Sequence, residues 1–209
     1  MHAALVNRTR GLEGPGPALL VAFTREHPHV DVRVLHARGG SAELADRLRH
    51  GEFDVAFLAL PERRPAGIEF TVLAEESIEL ACRPGHALAS RRAVDLADLA
   101  AETFIDTPPG WGTRVANDRA FAQAGARRTV SLEVDDVPDL LAMVRAGLGV
   151  ALIPPSLTVD RDGIHFVAIR RFAPTFQIAV ATPALRRPSA AARALLQVLG
   201  ARSPRRPRR

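Results

Sequence analysis

A chain of 209 residues, 47% hydrophobic and 24% charged, suits one large domain or two small lobes of an ordinary globular protein. Its formal charge of +5 is a property of the C-terminus: five of the 28 basic residues, all arginine, lie in the last eight positions, and without them 23 arginines face 23 acids, which weakens a nucleic-acid reading. No apolar run approaches a membrane span or a secretory signal, and a lone Cys82 excludes an internal disulfide, so no membrane partner and a cytoplasmic location are expected.

Residues 3–7 form a short apolar run suited to a first strand, and Gly11, Gly14, Pro15 and Gly16 make a loop after it. Leu20, Ala22 and Phe23 give the next segment one apolar side, a helix that Pro28 ends. Val30, Val32 and Val34 alternate with Asp31 and Arg33, the period-two pattern of a strand. After Gly39 and Gly40, Ser41 is placed to cap a helix carrying Leu44, Ala45 and Leu48 on one face. Gly51 closes that helix, and residues 55–60 read as a strand buried on both faces.

Two extended segments, 69–74 and 77–83, follow, then a Pro84-Gly85-His86 turn and a short helical element over 94–99. Residues 103–106 read as a strand running into Pro108-Pro109-Gly110-Trp111-Gly112-Thr113, with a helix from there to Gly125 and a strand over 130–134. Asp136 caps another helix, with Pro138 in its first turn and Leu140, Val144 and Leu148 four apart. Gly147 and Gly149 end it before a strand at 150–153; a return strand at 176–181 precedes a last helix around 190–199.

Two successive strand–helix–strand sets predict an α/β fold of two Rossmann-like lobes, each a right-handed unit whose strand-to-helix loops face one crevice. Residues 77–83 would carry the chain out of the first lobe and 176–181 would bring it back. Lobe I then comprises residues 1–78 and 178–201, lobe II comprises 79–177, and residues 202–209 form an arginine- and proline-rich disordered tail.

Several phrases in order carry a resemblance: residues 17–57, PGHAL at 84–88, VDLADLA at 94–100, PPGWGTR at 108–114 and LEVDDVPDLLAMVRAGLGVALIP at 132–154. Together they closely resemble the effector-binding domain of LysR-type transcriptional regulators. The resemblance implies two lobes joined by two crossing strands, the arrangement of type 2 periplasmic binding proteins, with a small-molecule effector held between them. It also implies a homodimer paired side by side and antiparallel, with the helix near Leu19 and Phe23 and the strand near Val30 and Val34 at the contact. DNA would be bound only through an N-terminal helix-turn-helix, which this chain lacks. A solute-binding protein, or a free-standing ligand-binding module of the same fold, is the alternative reading.

Carried over position by position, the resemblance places Ser41 where a Ser or Thr contacts the effector. Pro109, Gly110 and Trp111 fall on the facing loop, Thr113 at the next helix start, and Asp136 and Val137 at the start of the third helix. Helix starts offer free N–H donors and partial positive charge, so the expected ligand is a small metabolite bearing a carboxylate. Ser41 serves equally as a helix cap. Trp111, the only tryptophan, sits between glycines rather than in an apolar pattern, so its ring is expected to face the cleft. Arg10 in the first loop is either a carboxylate clamp or a solvated arginine. Some aromatic-acid sensors of the family carry an arginine just after the third strand, where this chain has Ala59.

Catalytic readings gain little. His27, His29, His36 and His50 lack metal-ligand spacing, and no GxSxG or Walker loop occurs. A helix start accounts for Asp135 and Asp136 without invoking a carboxylate pair, and Cys82 in IELACRP reads as a small buried hydrophobe. Neither enzyme activity, nor a cofactor, nor a metal is expected.

Overall fold

The computed structural model describes residues 2–6, 15–35, 40–61, 63–158 and 160–202. Arg10 lies outside the described residues, as does the expected tail from Ser203 onward; Arg202 is the last residue of the final helix. The chain opens with β1 (His2–Val6), α1 (Pro15–Glu26), β2 (Asp31–Leu35), α2 (Gly40–Arg49) and β3 (Val55–Ala59). A later set repeats this plan: β7 (Thr103–Asp106), α3 (Gly112–Gln123), β8 (Thr129–Glu133), α4 (Val137–Arg145) and β9 (Ala151–Ile153). Between them run β4 (Ile68–Ser77), β5 (Glu79–Cys82), the short β6 (Ala93–Val94) and a 3₁₀ turn at Leu96–Leu99. After β9 come a 3₁₀ turn at Pro155–Leu157, β10 (His165–Ile169), β11 (Thr175–Pro183) and α5 (Ala190–Arg202).

The first lobe is a five-stranded sheet in the order β2-β1-β3-β11-β4. In the second lobe a four-stranded sheet runs β6-β10-β5-β9, and β7 and β8 form a parallel pair beside it. A parallel bridge between Phe104 and Val150 joins the two, with Ile105 N–H on the Val150 carbonyl and Val150 N–H on the Thr103 carbonyl, both at 2.9 Å. The second lobe therefore reads β8-β7-β9-β5-β10-β6, which repeats the five-strand order of the first and adds the short β6 at its edge. Gly149 makes this seam possible, since a Cβ there would fall 2.4 Å from the Thr103 carbonyl oxygen.

Strand β3 shows why an unbroken apolar run folds here. Val55 and Phe57 pack with Leu19 and Phe23 of α1 and Leu195 of α5, while Ala56 and Leu58 pack with Leu44 and Leu48 of α2. Helices thus cover both faces, as a strand hydrophobic at every position requires. The larger core, in the second lobe, gathers Leu80, Leu99, Phe104, Leu140, Val144 and Val167.

Strands β4 and β11 pair antiparallel along their whole length, from Ser77 opposite Thr175 to Ile68 opposite Pro183. The expected outgoing segment 77–83 is accordingly divided. Ser77 ends the first sheet, Ile78 N–H donates to the Pro174 carbonyl at 2.8 Å, and Glu79 begins the second sheet. Strand β10 was not apparent in the alternation pattern, because only Val167 and Ile169 of its five residues are buried.

Cys82 is fully buried, and burial, followed by the charge of Glu102, pushes its thiol pKa above the ordinary value. Because the thiolate is the reactive form, titration with a chromogenic disulfide should label no cysteine in the native protein and one per chain in denaturant. Fast native labelling would contradict this packing.

Candidate functional site

The site is built around the end of β3 and the start of α3. The turn Pro108–Trp111 closes with Trp111 N–H on the Pro108 carbonyl at 3.2 Å, and Gly110 at its third position has φ 85°. A positive φ at the third position, which favours glycine, is what a type II turn requires, and proline is common at the second. Trp111 is the extended N-cap residue of α3, and Gly112 follows in the first turn. Gly112 lies directly on Ala59: a Cβ placed on it would fall 2.1 Å from the Ala59 Cβ. The two lobes therefore touch at this point, and only glycine fits.

On the facing lobe, α2 begins at Gly40, so Ser41 lies inside the first turn instead of capping it. Its hydroxyl donates to the Ala59 carbonyl at 3.1 Å. Ala59 is thus held by Ser41 through its carbonyl and by Gly112 against its methyl group.

The start of α3 is anchored from below by a buried charge network. Arg128 and Asp106, 4% and 2% exposed, form an ion pair at 2.5 Å. The Arg128 guanidinium also lies 5.3 Å from the ring centres of both Phe104 and Phe121. Asp106 accepts the Thr107 N–H at 2.7 Å, and the Thr107 hydroxyl lies 3.1 Å from that of Thr113 in the first turn of α3. Arg114 ties the same turn to the Thr107 carbonyl at 3.1 Å and to Glu133 at 2.8 Å. Burial lowers the pKa of Arg114, but the bond to Glu133 and the charges of Asp118 and Asp106 raise it further, so it stays charged.

A cavity of about 590 Å³ opens between the lobes. Ser41, Ala59 and Arg64 line it from one lobe, Gly110, Gly112, Val115 and Arg119 from the other, and residues 172–177 from the segment that returns the chain. The first turns of α2 and α3 thus border the space with N–H donors. Arg64 has no ion pair among the described residues, and no carboxylate appears among the described lining residues. Among the described residues no three His, Cys, Asp or Glu side chains converge as a metal site would need.

The pattern of the LysR substrate binding domain matches residues 15–204. The chain belongs to the LysR substrate-binding domain family. Among its relatives are the HTH-type transcriptional regulator YybE of Bacillus subtilis, 28% identical over 73% of this chain and 51% of the relative. The dual regulator GltC of the same organism is 31% identical over 67% of this chain and 46% of the relative. The chain therefore spans about half the length of these relatives. Among solved structures, the regulatory domain of Synechocystis CcmR in complex with 2-PG superposes with TM-score 0.85, at 20% identity, over 98% of this chain and 97% of that one. The effector-binding domain of QuiR in complex with shikimate gives TM-score 0.81, at 20% identity, over 97% and 96%. That of BenM with benzoate gives 0.78, at 22% identity, over 96% and 90%. The family and its fold are thus those that the sequence phrases imply.

Of the site residues expected in this LysR-type domain, the structure brings Ser41 and Gly110 to one cavity. Pro109 and Thr113 lie in the same turn and helix start but do not line it; Pro109 sets the turn and Thr113 is buried. Trp111 is 8% exposed and is not among the described lining residues, whereas its flanking glycines are. Asp136 and Val137 start α4 and are not among the described lining residues; Asp136 is the N-cap residue by position, and Val137 is buried. Sequence reasoning missed Arg64, Arg119, Phe172 and Phe176. The arginine pair after the third strand and the 115, 119, 123 spacing along α3 were the available signals.

Two substitutions test this construction. Asp106→Ala removes the buried partner of Arg128 and leaves it only the half-exposed Asp118, 2.6 Å away, which should lower unfolding stability by about 1–3 kcal/mol in chemical denaturation. Gly112→Ala forces a methyl group onto Ala59 and should cost about 1–3 kcal/mol as an overpacked contact. Ala59→Gly in the same chain should restore most of that loss, whereas additive effects in the double-mutant cycle would refute direct contact.

Proposed function

We propose that this chain is the small-molecule sensing domain of a LysR-type regulator and that it binds a carboxylate-bearing metabolite in the cavity between its lobes. The observation that carries the reading is the cavity itself: both lobes wall it, two helix starts border it, and Arg64 brings a positive charge that has no ion pair among the described residues. Such a place favours an organic anion. Solved structural relatives hold shikimate, 2-PG and benzoate, and a ligand of that size fits about 590 Å³. Sensing, rather than catalysis, is the role assigned, in the cytoplasm; among the described residues no helix is long and apolar enough to cross a membrane.

In this reading the lobes are residues 1–78 with 178–201, and residues 79–177, and the ligand contacts are drawn from Ser41, Gly110 and the turn around them. Pro109, Trp111 and Thr113 then act by shaping that turn, and Asp136 and Val137 by starting α4. The domain works as a homodimer. Leu19 and Phe23 are buried within the chain, so the α1–β2 contribution narrows to Val21, Val34 and Leu35, all exposed. Leu132 on β8 is the exposed apolar residue that the antiparallel arrangement would set against them.

A panel of organic acids screened by thermal shift tests the sensing role. A ligand at about 100 times its Kd stabilises by about 2.7 kcal/mol, which for a chain of this length raises Tm by about 5–10 °C. Trp111, beside two lining glycines, should report the same binding by fluorescence, and Ser41→Ala should weaken it several-fold. Absence of any stabilising acid would overturn the sensing role.

A further inference from the structure

Gly112 lies on Ala59, where the lobes are in contact, and Ser41 bonds the Ala59 carbonyl beside that point. The rest of the cavity runs along the flank of α3, past Val115 and Arg119, to the return segment 172–177. Two features of that end bear on what it could hold, an exposed arginine and a phenylalanine in the left-handed region. Arg64 carries a charge with no ion pair among the described residues. Phe172 has φ 53°, the only positive φ at a non-glycine residue among those described, and its side chain is 53% exposed while lining the cavity. A bulky residue is strongly disfavoured in the left-handed region, and a half-exposed ring gains little from burial. Glycine would satisfy the backbone at lower cost.

We infer that Phe172 is a specificity-determining residue: its ring covers the apolar body of an effector whose anionic group is taken by Arg64. This rests on the sensing role proposed above and narrows its ligand to organic acids with a flat or hydrophobic face, in preference to compact, doubly charged phosphorylated acids. Phe176 completes the apolar wall; its ring lies 3.7 Å from where a Cβ on Gly112 would be, beside the lobe contact. The strain at Phe172 then has a cause, since local rules are broken where a site needs a particular side chain.

The test uses the 209-residue chain with benzoate and 2-phosphoglycolate as probes, read by calorimetric titration and by Tm. Wild type should bind benzoate in the micromolar-to-millimolar range and more tightly than 2-phosphoglycolate. Phe172→Gly should weaken benzoate by about tenfold or more while leaving Tm unchanged or raised, since it relieves the backbone. Phe172→Leu should recover part of the affinity, and Arg64→Gln should also lose about tenfold. A benzoate affinity unchanged in Phe172→Gly overturns the inference, as does a Tm drop of several degrees, which would make the ring structural. Binding of other organic acids, but not benzoate, overturns it and leaves the sensing role intact; no binding of any acid overturns both.

Discussion

The contact of Gly112 on Ala59 fixes the spacing of the two lobes, and most features of the site follow from it. Ala59 ends a strand buried on both faces, so its position is set by the packing of the whole first lobe. Gly112 begins α3, whose first turn is bonded through Thr113, Thr107 and Asp106 to the buried Arg128. Two well-determined elements therefore meet at a point where one side chain is a methyl group and the other is a hydrogen. Any larger residue at either position separates the walls, and the cavity beside them changes shape.

The ion pair of Arg128 and Asp106 is poor evidence for stability taken alone, because desolvating two charges offsets much of their attraction. Its environment argues for a role in positioning. Arg128 Nε and Asn117 Oδ1 are buried without partners among the described residues, an arrangement that an apolar core would avoid. What the network achieves is a rigid start to α3: Asp106 and Thr107 hold Thr113, and Arg114 bonds the Thr107 carbonyl from outside. The N–H donors of that first turn then border the cavity in a fixed direction.

The succession of strands and helices was legible because each element shows its own period. The apolar run 55–60 and the alternation near residues 30–34 decide the first lobe, and Asp136 with Leu140 and Val144 decides α4. The helix starts were legible for the same reason, and with them Ser41 and Gly110. Trp111 is buried although it lies between glycines: Gly110 is there for a left-handed turn and Gly112 for contact with Ala59. Arg64 and Phe172 were invisible as site residues. They are more than a hundred positions apart, and only the pairing of β11 with β3 and β4 brings them to one space. Local pattern carries no trace of that pairing.

The same pairing limits how the lobes can move. The chain crosses between sheets at Ile78 and again just before Thr175, and these crossings are tied by the Ile78 N–H bond to the Pro174 carbonyl. Glu76, near the end of β4, also accepts from the Ser156 hydroxyl and, at 3.3 Å, from its N–H, clasping the turn after β9. Bending at such a crossing would turn the first sheet as a body, because the long ladder from Ile68 to Ser77 resists deformation within it. A ligand held as proposed would touch both bodies and the crossing segment at once, and would change their relative orientation only by binding one orientation more tightly than the other. Phe172 belongs to the crossing segment, two residues before Pro174. A group that covers the ligand from that place experiences the rotation directly, which joins recognition to movement in one short stretch of chain.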